Sequence, residues 1–481
     1  PSPMRSTTGQ AHPGTRRPQP QGTLRALWAG LALTLTLALG GPVSSHGAPL
    51  KLHVPSPDWR DQIIYFVLTD RFDDGDPSNN DQGAGEFNPQ RHDRYSGGDL
   101  RGIARRLSYI QGLGATAVWI TPPVANQWLN AQGSYSGYHG YWAEHFMKVD
   151  KHLGTLRDYQ LLSHELHTRG MYLVQDIVVN HVGDFFHYPP DRRPDLDPVL
   201  GYQPQLGSRP VSRPTQHPFS LNDPRRPEDR RAHIYHWTPD VSDYQNRHQE
   251  LNFQMAGLDD LNTENPRVRE ALRRSYGFWI REVGVDAFRV DTAFYVPPEF
   301  FEDFLWSKPP LSPTPHQKTD KPGQHGKPGS PGIDAVARAT GRNDFLVFGE
   351  GFGIDRPGQT RESEKIESYM HGPQGQRRMG GMLNFPLYGA LGDTFARGMP
   401  TAVLGERIRT MMRMHPRAHW MPTFLDNHDV DRFLATGRLR GLQQALTALM
   451  TLPGIPVIYY GTEQGYTQQR ASLFAAGWGS G

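Results

Sequence analysis

Short β-rich apolar runs alternate with amphipathic stretches of helical period along most of this chain, and few folds accommodate that rhythm. The runs read as strands cover 63–69, 115–121, 171–179, 285–290, 345–349, 382–387, 420–425 and 456–460. Helical periodicity is clear between them at 156–169, 268–282 and 442–452. Such alternation builds parallel βαβ units, and eight of them close into a (β/α)8 TIM barrel. A doubly wound open sheet shares the alternation, but it gathers its chemistry at one switch point. Acidic residues here mark four different strands: Asp176 within the third, Asp291 after the fourth, Glu350 after the fifth and Asp429 after the seventh. That distribution favours the barrel, whose active sites draw on the C-terminal ends of several strands.

Two segments break the rhythm. Residues 183–262, rich in Pro, Asp, Arg and His, are too long for a plain loop and read as a small subdomain inserted after strand three. Residues 308–343 carry repeated Lys, Pro and Gly and read as a flexible insertion. The barrel is thus expected in two parts, 50–182 and 263–481, around the inserted subdomain.

The ends of the chain carry their own signals. Arg16, Arg17 and Arg25 precede an apolar run at 26–40, and small residues follow at Ser44, Ser45, Gly47 and Ala48. That is the order of a secretory signal peptide, so 1–49 is set apart as a signal and N-terminal extension. The run is short for a membrane span. A secreted or periplasmic protein without stable membrane insertion after cleavage is expected, an uncleaved N-terminal anchor being the alternative. Only about twenty residues follow the last strand run, with no helical pattern among them. The C-terminal part therefore reads as truncated, and strands eight and one are expected to expose an apolar strip.

Composition excludes some chemistry. Cysteine is absent, which removes disulfides, a thiolate nucleophile and Cys-ligated zinc. The formal charge is only +2, with no basic stripe among aromatics, which argues against a nucleic-acid partner.

Hydrolysis of a glycosidic bond requires two carboxyl groups flanking it, one as nucleophile or base and one as proton donor. The acidic strand ends could supply them, although a lone Asp at a strand end is more often a cap or a solvated loop residue. Their surroundings are more specific. Segment 176–181 (DIVVNH) resembles the first sequence motif of the α-amylase family, 288–291 (FRVD) the second, 348–350 (FGE) the third and 424–429 (FLDNHD) the fourth. Segments 257–262 (GLDDLN) and 138–142 (YHGYW) are similar to two further stretches of that family, and the whole set stands in family order. The resemblance implies Asp291 as nucleophile, Glu350 as general acid/base and Asp429 as stabiliser of the oxocarbenium-like charge. By the same match Arg289 orients Asp291, while Asp176, His139, His181, His428 and Tyr141 belong to the sugar-binding set. Any one of these histidines taken alone reads equally well as a structural residue.

A second oxygen-rich cluster follows the first strand: Asp74, Asp76, Asn79 and Asn80, then Gly97 and Asp99. Carboxylates and amides spaced by Gly and Pro suit Ca²⁺, which takes about six to eight oxygens, although a polar turn has the same composition. The stretch resembles the N-terminal calcium loop of cyclodextrin glucanotransferases, which implies those side chains and the Gly97 carbonyl as ligands. Asn180 and Asp260 match a second, central calcium site of the family. The Lys and His that many members carry three and four positions after the nucleophile are Phe294 and Tyr295 here, which puts that site in question. Cyclodextrin-forming relatives place an aromatic residue four positions before the counterpart of Asp260, where this chain has Ala256.

These readings point to a monomeric, secreted, retaining α-glucan hydrolase acting on α-1,4 bonds of starch or maltodextrin. A cyclomaltodextrinase or α-glucan transglycosylase of the same family is the nearest alternative. A non-catalytic glucan-binding member is more remote, because the carboxylate set is complete.

Overall fold

The computed structural model describes residues 49–308, 329–474 and 477–480. Residues 1–48 of the expected signal and N-terminal extension 1–49, and the centre of the expected insertion, 309–328, lie outside the described residues. Among those described, no helix is long and apolar enough to cross a membrane.

Eight parallel strands form one sheet: β1 (Ile64–Val67), β2 (Ala117–Ile120), β3 (Tyr172–Val178), β4 (Ala287–Asp291), β5 (Leu346–Gly349), β6 (Gly381–Met382), β7 (Pro422–Thr423) and β8 (Ile455–Tyr459). Their order runs β6-β5-β4-β3-β2-β1-β8-β7, so β1 pairs with both β2 and β8. The remaining seam is bridged by Asn384, whose N–H donates to the Pro422 carbonyl at 2.9 Å. This is the expected TIM barrel. Its strands are apolar along their length because helices cover the outside while side chains fill the inside. Phe66 and Trp119 stack within the barrel at 3.8 Å between ring centroids.

The helices used below are α1 (Leu100–Arg105), α2 (Leu156–Thr168), α3 (Arg247–Asn252), α4 (Pro266–Glu282), α5 (Phe300–Trp306), α6 (Ile333–Ala339), α7 (Arg361–Met370), α8 (Phe385–Phe395) and α9 (Thr401–Met414). Residues 183–262 contain a two-residue strand pair, Phe186–His187 with Gln203–Pro204, two short helices and an aromatic cluster around Phe186, Tyr235 and Trp237. The segment is tied back to the barrel where His181 bridges to Asp260.

Three expectations need correction. The sixth strand does not run to residue 387: the Asn384 side chain accepts from the Leu387 N–H, Pro386 stands in the first turn, and α8 begins at Phe385. An Asn cap and an early Pro start a helix more strongly than the apolar residues there favour a strand. The described part of the 308–343 insertion is not loose. Ile333, Val336 and Ala337 of α6 are buried, and Arg342 is fully buried on Asp286 (3.0 Å) and the Leu52 and Gly284 carbonyls. Asp286 also receives the His167 ring at 2.7 Å, so this hub joins α2 and the start of β4.

Third, among the described residues no apolar strip lies open along β1 and β8. Ile64, Tyr65, Phe66 and Val67 are wholly buried. Leu473 and Phe474 donate backbone N–H groups to the Arg71 and Phe72 carbonyls, and the Phe474 ring packs edge-on against Phe72 and Tyr109. Extended chain does the covering that helical periodicity would have announced.

Candidate active site

The register of three strands assembles the site. Across β3 and β4, Asp176 stands opposite Arg289, and across β4 and β5, Val290 stands opposite Gly349. Asp291 and Glu350, each one position further, therefore leave adjacent strands side by side. The Glu350 N–H donates to the Val290 carbonyl at 2.8 Å, and the Ala293 N–H donates to the Glu350 carbonyl at 3.0 Å. The chain then turns through Thr292 in the left-handed region, at φ 46°, which aims the Thr292 N–H at Glu350 Oε2, 3.1 Å away.

One guanidinium lies beneath these acids. Arg289 is fully buried and bonds Asp176 Oδ1 (2.9 Å) and Asp291 Oδ1 (2.8 Å) through Nη1. Its Nη2 pairs with Glu350 Oε1 at 2.8 Å. Asp176 is also fully buried and accepts from the Trp119 indole and the Tyr141 hydroxyl. It thus supports Arg289 and Tyr141 from below. Asp291 and Glu350 are each 7% exposed at the barrel mouth.

Three buried imidazoles, held neutral by their dry surroundings, lie around Tyr141. His139 and His428 flank the Tyr141 ring, each nearly parallel to it at 5.6 and 5.4 Å. Burial pushes the His428 pKa down to about 3 and that of His181 to about 4, and it lowers His139 as well. The His181 ring is turned inward onto the Tyr141 carbonyl at 3.2 Å, so it fixes the Tyr141 backbone. Asp429 sits at the rim, 3.2 Å from His428 Nε2 and 3.2 Å from the Arg470 guanidinium.

Arg470, Trp119 and the Thr292 N–H are parts of the site that sequence reasoning missed. Arg470 also donates to the Tyr138 hydroxyl and the His428 carbonyl, which sets it across the rim from β7. It comes from the patternless tail, where no local signal marks it. Trp119 looks like one more apolar strand residue until its N–H is seen on Asp176.

Burial pushes Asp291 up to about 7 against the pull of Arg289, and Glu350 and Asp429 add to the rise. Burial likewise raises Glu350, again opposed by Arg289. For Asp429 burial works the same way, but His428 and Arg470 outweigh it and hold that carboxyl below the usual range. Two carboxyls of the cluster, Asp291 and Glu350, thus keep a proton more readily than usual, while the rim carboxylate of Asp429 stays ionised.

The two oxygen-rich groups differ. In the loop after β1, Asp74 Oδ1, Asn79 Oδ1 and Asn80 Oδ1 are buried without hydrogen-bond partners, and Gly97 packs against the Asn80 amide. Asp99 accepts from the Gly75, Asp76 and Gly102 N–H groups and caps α1, while Asp76 pairs with Arg101. Among the described residues no three acidic or histidine side chains converge as a cage. At the second location, Asp260 Oδ2 meets the His236 ring at 2.5 Å, and the same ring reaches Glu264 at 3.2 Å. Burial disfavours a charged His236, but the bonds to Asp260 and Glu264 prevail and lift its pKa to about 9. The His236 ring thus occupies Asp260 Oδ2, while Asp260 Oδ1 is buried without a partner and the Asn180 amide lies against the His181 ring.

Paired carboxylates at the C-terminal ends of adjacent barrel strands, backed by neutral hydrogen-bonding rings, form the apparatus of a glycoside-cleaving barrel. A family model described as alpha amylase, catalytic domain, matches residues 66–476, and the chain belongs to that family. A beta/alpha-amylase of Paenibacillus polymyxa is 32% identical over 423 residues, 85% of this chain and 28% of that protein. A cyclomaltodextrin glucanotransferase of Klebsiella oxytoca is 27% identical over 437 residues, 84% of this chain and 58% of that protein. The crystal structure of an Anoxybacillus α-amylase aligns with a TM-score of 0.64 at 28% identity, covering 87% of this chain and 75% of that one. The chain thus spans less than three-fifths of either curated relative.

The site makes a prediction about stability. Arg289→Met leaves Asp176, Asp291 and Glu350 buried without their cation, so their native pKa values rise further above the unfolded ones. The native state then holds more protons than the unfolded state, and stability falls as pH rises through that window. The melting temperature of the variant should lie below wild type by a margin that widens from pH 5 to pH 8. A constant or narrowing margin would contradict the arrangement.

Proposed function

We propose that the chain is a retaining α-glucan hydrolase that cleaves α-1,4-glucosidic bonds of starch-like polysaccharides or maltooligosaccharides. The observation that carries this reading is the sharing of one buried guanidinium by Asp291 and Glu350 on adjacent strands. Asp291 attacks the anomeric carbon, its free oxygen directed by the bond that Arg289 makes to the other. As the bond from that carbon to the leaving oxygen breaks, Glu350 passes its proton to the oxygen. Water then enters, gives a proton back to Glu350 and displaces Asp291, so configuration at the anomeric carbon is kept. Asp429 holds negative charge at the rim while positive charge develops on the sugar ring. His139 and His428, neutral, exchange hydrogen bonds with its hydroxyls, and Tyr141 offers a stacking face.

Hydrolysis is favoured over cyclisation because Ala256 provides no aromatic surface in the inserted segment around which a glucan could wrap. The charge pattern of 16–48 supports export. Calcium belongs to the same proposal: Asp74, Asn79 and Asn80 offer three unpartnered buried oxygens, and an ion there would fix the loop that α1 and Asp99 anchor.

Two outcomes follow. Proton NMR of maltoheptaose digestion should show the α-anomer forming first, and initial release of the β-anomer would refute the assignment of Asp291. Chelation should lower the melting temperature, and added Ca²⁺ should restore it by an amount set by affinity and free ion concentration. Asp74→Ala should remove most of that response; a melting temperature indifferent to chelator would remove calcium from the account.

A further inference from the structure

The barrel end away from the catalytic carboxylates carries a cavity of about 130 Å³, where β5, β6 and β7 begin. Active sites of such barrels gather at the C-terminal ends of the strands, so this cavity lies outside the catalytic machinery. Part of its wall is apolar: Leu305 of α5, Ile333 of α6, Leu346 of β5 and Met370 of α7 all line it and are buried. An apolar cavity of about 150 Å³ accommodates a benzene ring, so the space suits one ring or a short branched chain.

Two arginines line the same cavity. Arg417 lies over the Trp420 ring, 4.4 Å from its centroid, and Arg377 over the Trp306 ring at 3.9 Å. Arg417 Nε donates to the Gly380 carbonyl at 2.9 Å, which leaves the donors of its two terminal amino groups to spare. Among the described residues neither guanidinium makes an ion pair. Other charges of the lining are already matched: Arg338 pairs with Asp334 at 2.7 Å, Arg378 with Glu299 and Glu302, and the His371 ring with Glu367. Asp344 is the remaining acid of the lining, one carboxylate against two guanidiniums. Burial lowers the Arg417 pKa, the positive charge of Arg377 lowers it further, and Asp344 opposes them.

Unmatched guanidiniums stacked on indoles beside an apolar wall can receive an organic acid. Their planar N–H forks match a carboxylate, and the apolar wall takes the body attached to it. An inorganic anion would use the arginines but leave the apolar wall unfilled. A neutral ring would fill the wall but leave the positive charge unmatched. We propose that this cavity binds a small organic carboxylate with one ring or a short branched apolar body, held by Arg377 and Arg417. The inference is independent of the α-glucan reading above.

Benzoate is the probe. Calorimetric titration into the full chain should show one saturable site, and the melting temperature should rise with benzoate concentration. Arg417→Gln and Arg377→Gln should each weaken benzoate binding by about tenfold or more, through loss of a charge-assisted pair. Arg377 is exposed and stacks on Trp306, so Arg377→Gln keeps the fold and decides the matter should Arg417→Gln fail to fold. Benzyl alcohol and inorganic phosphate should each bind about tenfold or more weakly than benzoate. No saturable binding at millimolar benzoate, or unchanged affinity in either folded variant, would overturn the proposal. Benzyl alcohol or phosphate binding as tightly as benzoate would overturn it as well, the first by removing the carboxylate and the second by removing the apolar body.

Discussion

A guanidinium buried among carboxylates is the constraint on which the rest of this barrel mouth depends. Taking Arg289 out of water costs several kcal/mol, and it is tolerable only because Asp176, Asp291 and Glu350 surround it. Each acid comes from a different strand, so the network exists only in the correct register of β3, β4 and β5. A one-residue slip of β4 would turn Arg289 and Asp291 outward together and leave Asp176 and Glu350 without their cation. The same contacts that satisfy the arginine hold Asp291 and Glu350 at neighbouring positions on the rim, so stability and catalytic geometry come from one set of bonds.

Burial gives the histidines of this chain two opposite characters. His428, His139 and His181 lie in dry surroundings without a direct carboxylate partner strong enough to hold a proton, and they stay neutral. His152 is just as buried, which also disfavours its charge, but it is clamped between Asp150 (2.8 Å) and Glu86 (3.1 Å), and its pKa is lifted to about 9. His236 behaves likewise between Asp260 and Glu264. Of the neutral set, His139 and His428 flank the Tyr141 ring, while His181 turns inward onto the Tyr141 carbonyl. The charged set lies in ion-pair clusters that tie loops together.

Much of this was legible in the sequence, because it rests on local patterns. The eight strands were visible as apolar runs, and α2 and α4 as helical periods opened by Thr155 and Asn265 caps. What escaped depended on contacts distant in sequence. The early end of β6 follows from Asn384 serving two partners, the Pro422 carbonyl and the Leu387 N–H behind it. The order of residues 329–343 follows from Arg342 finding Asp286, a partner 56 positions away. Arg470 reaches Asp429 from 41 positions away, and Lys365 finds Glu250 at a separation of 115. Asp176 shows a subtler limit: its motif placed it in the site, but only the packing of Trp119 and Tyr141 over it shows that it works beneath the site.

The central claim is that Arg289 holds Asp291 as the nucleophile beside Glu350. It is tested most directly by trapping the intermediate with a 5-fluoro glycosyl fluoride of a maltooligosaccharide, whose fluorine slows the second step, and mapping the adduct by mass spectrometry. The account predicts one glycosyl unit on the peptide that contains Asp291, and no adduct on Asp291→Asn. A stable adduct on Glu350, Asp429 or any other residue would contradict it.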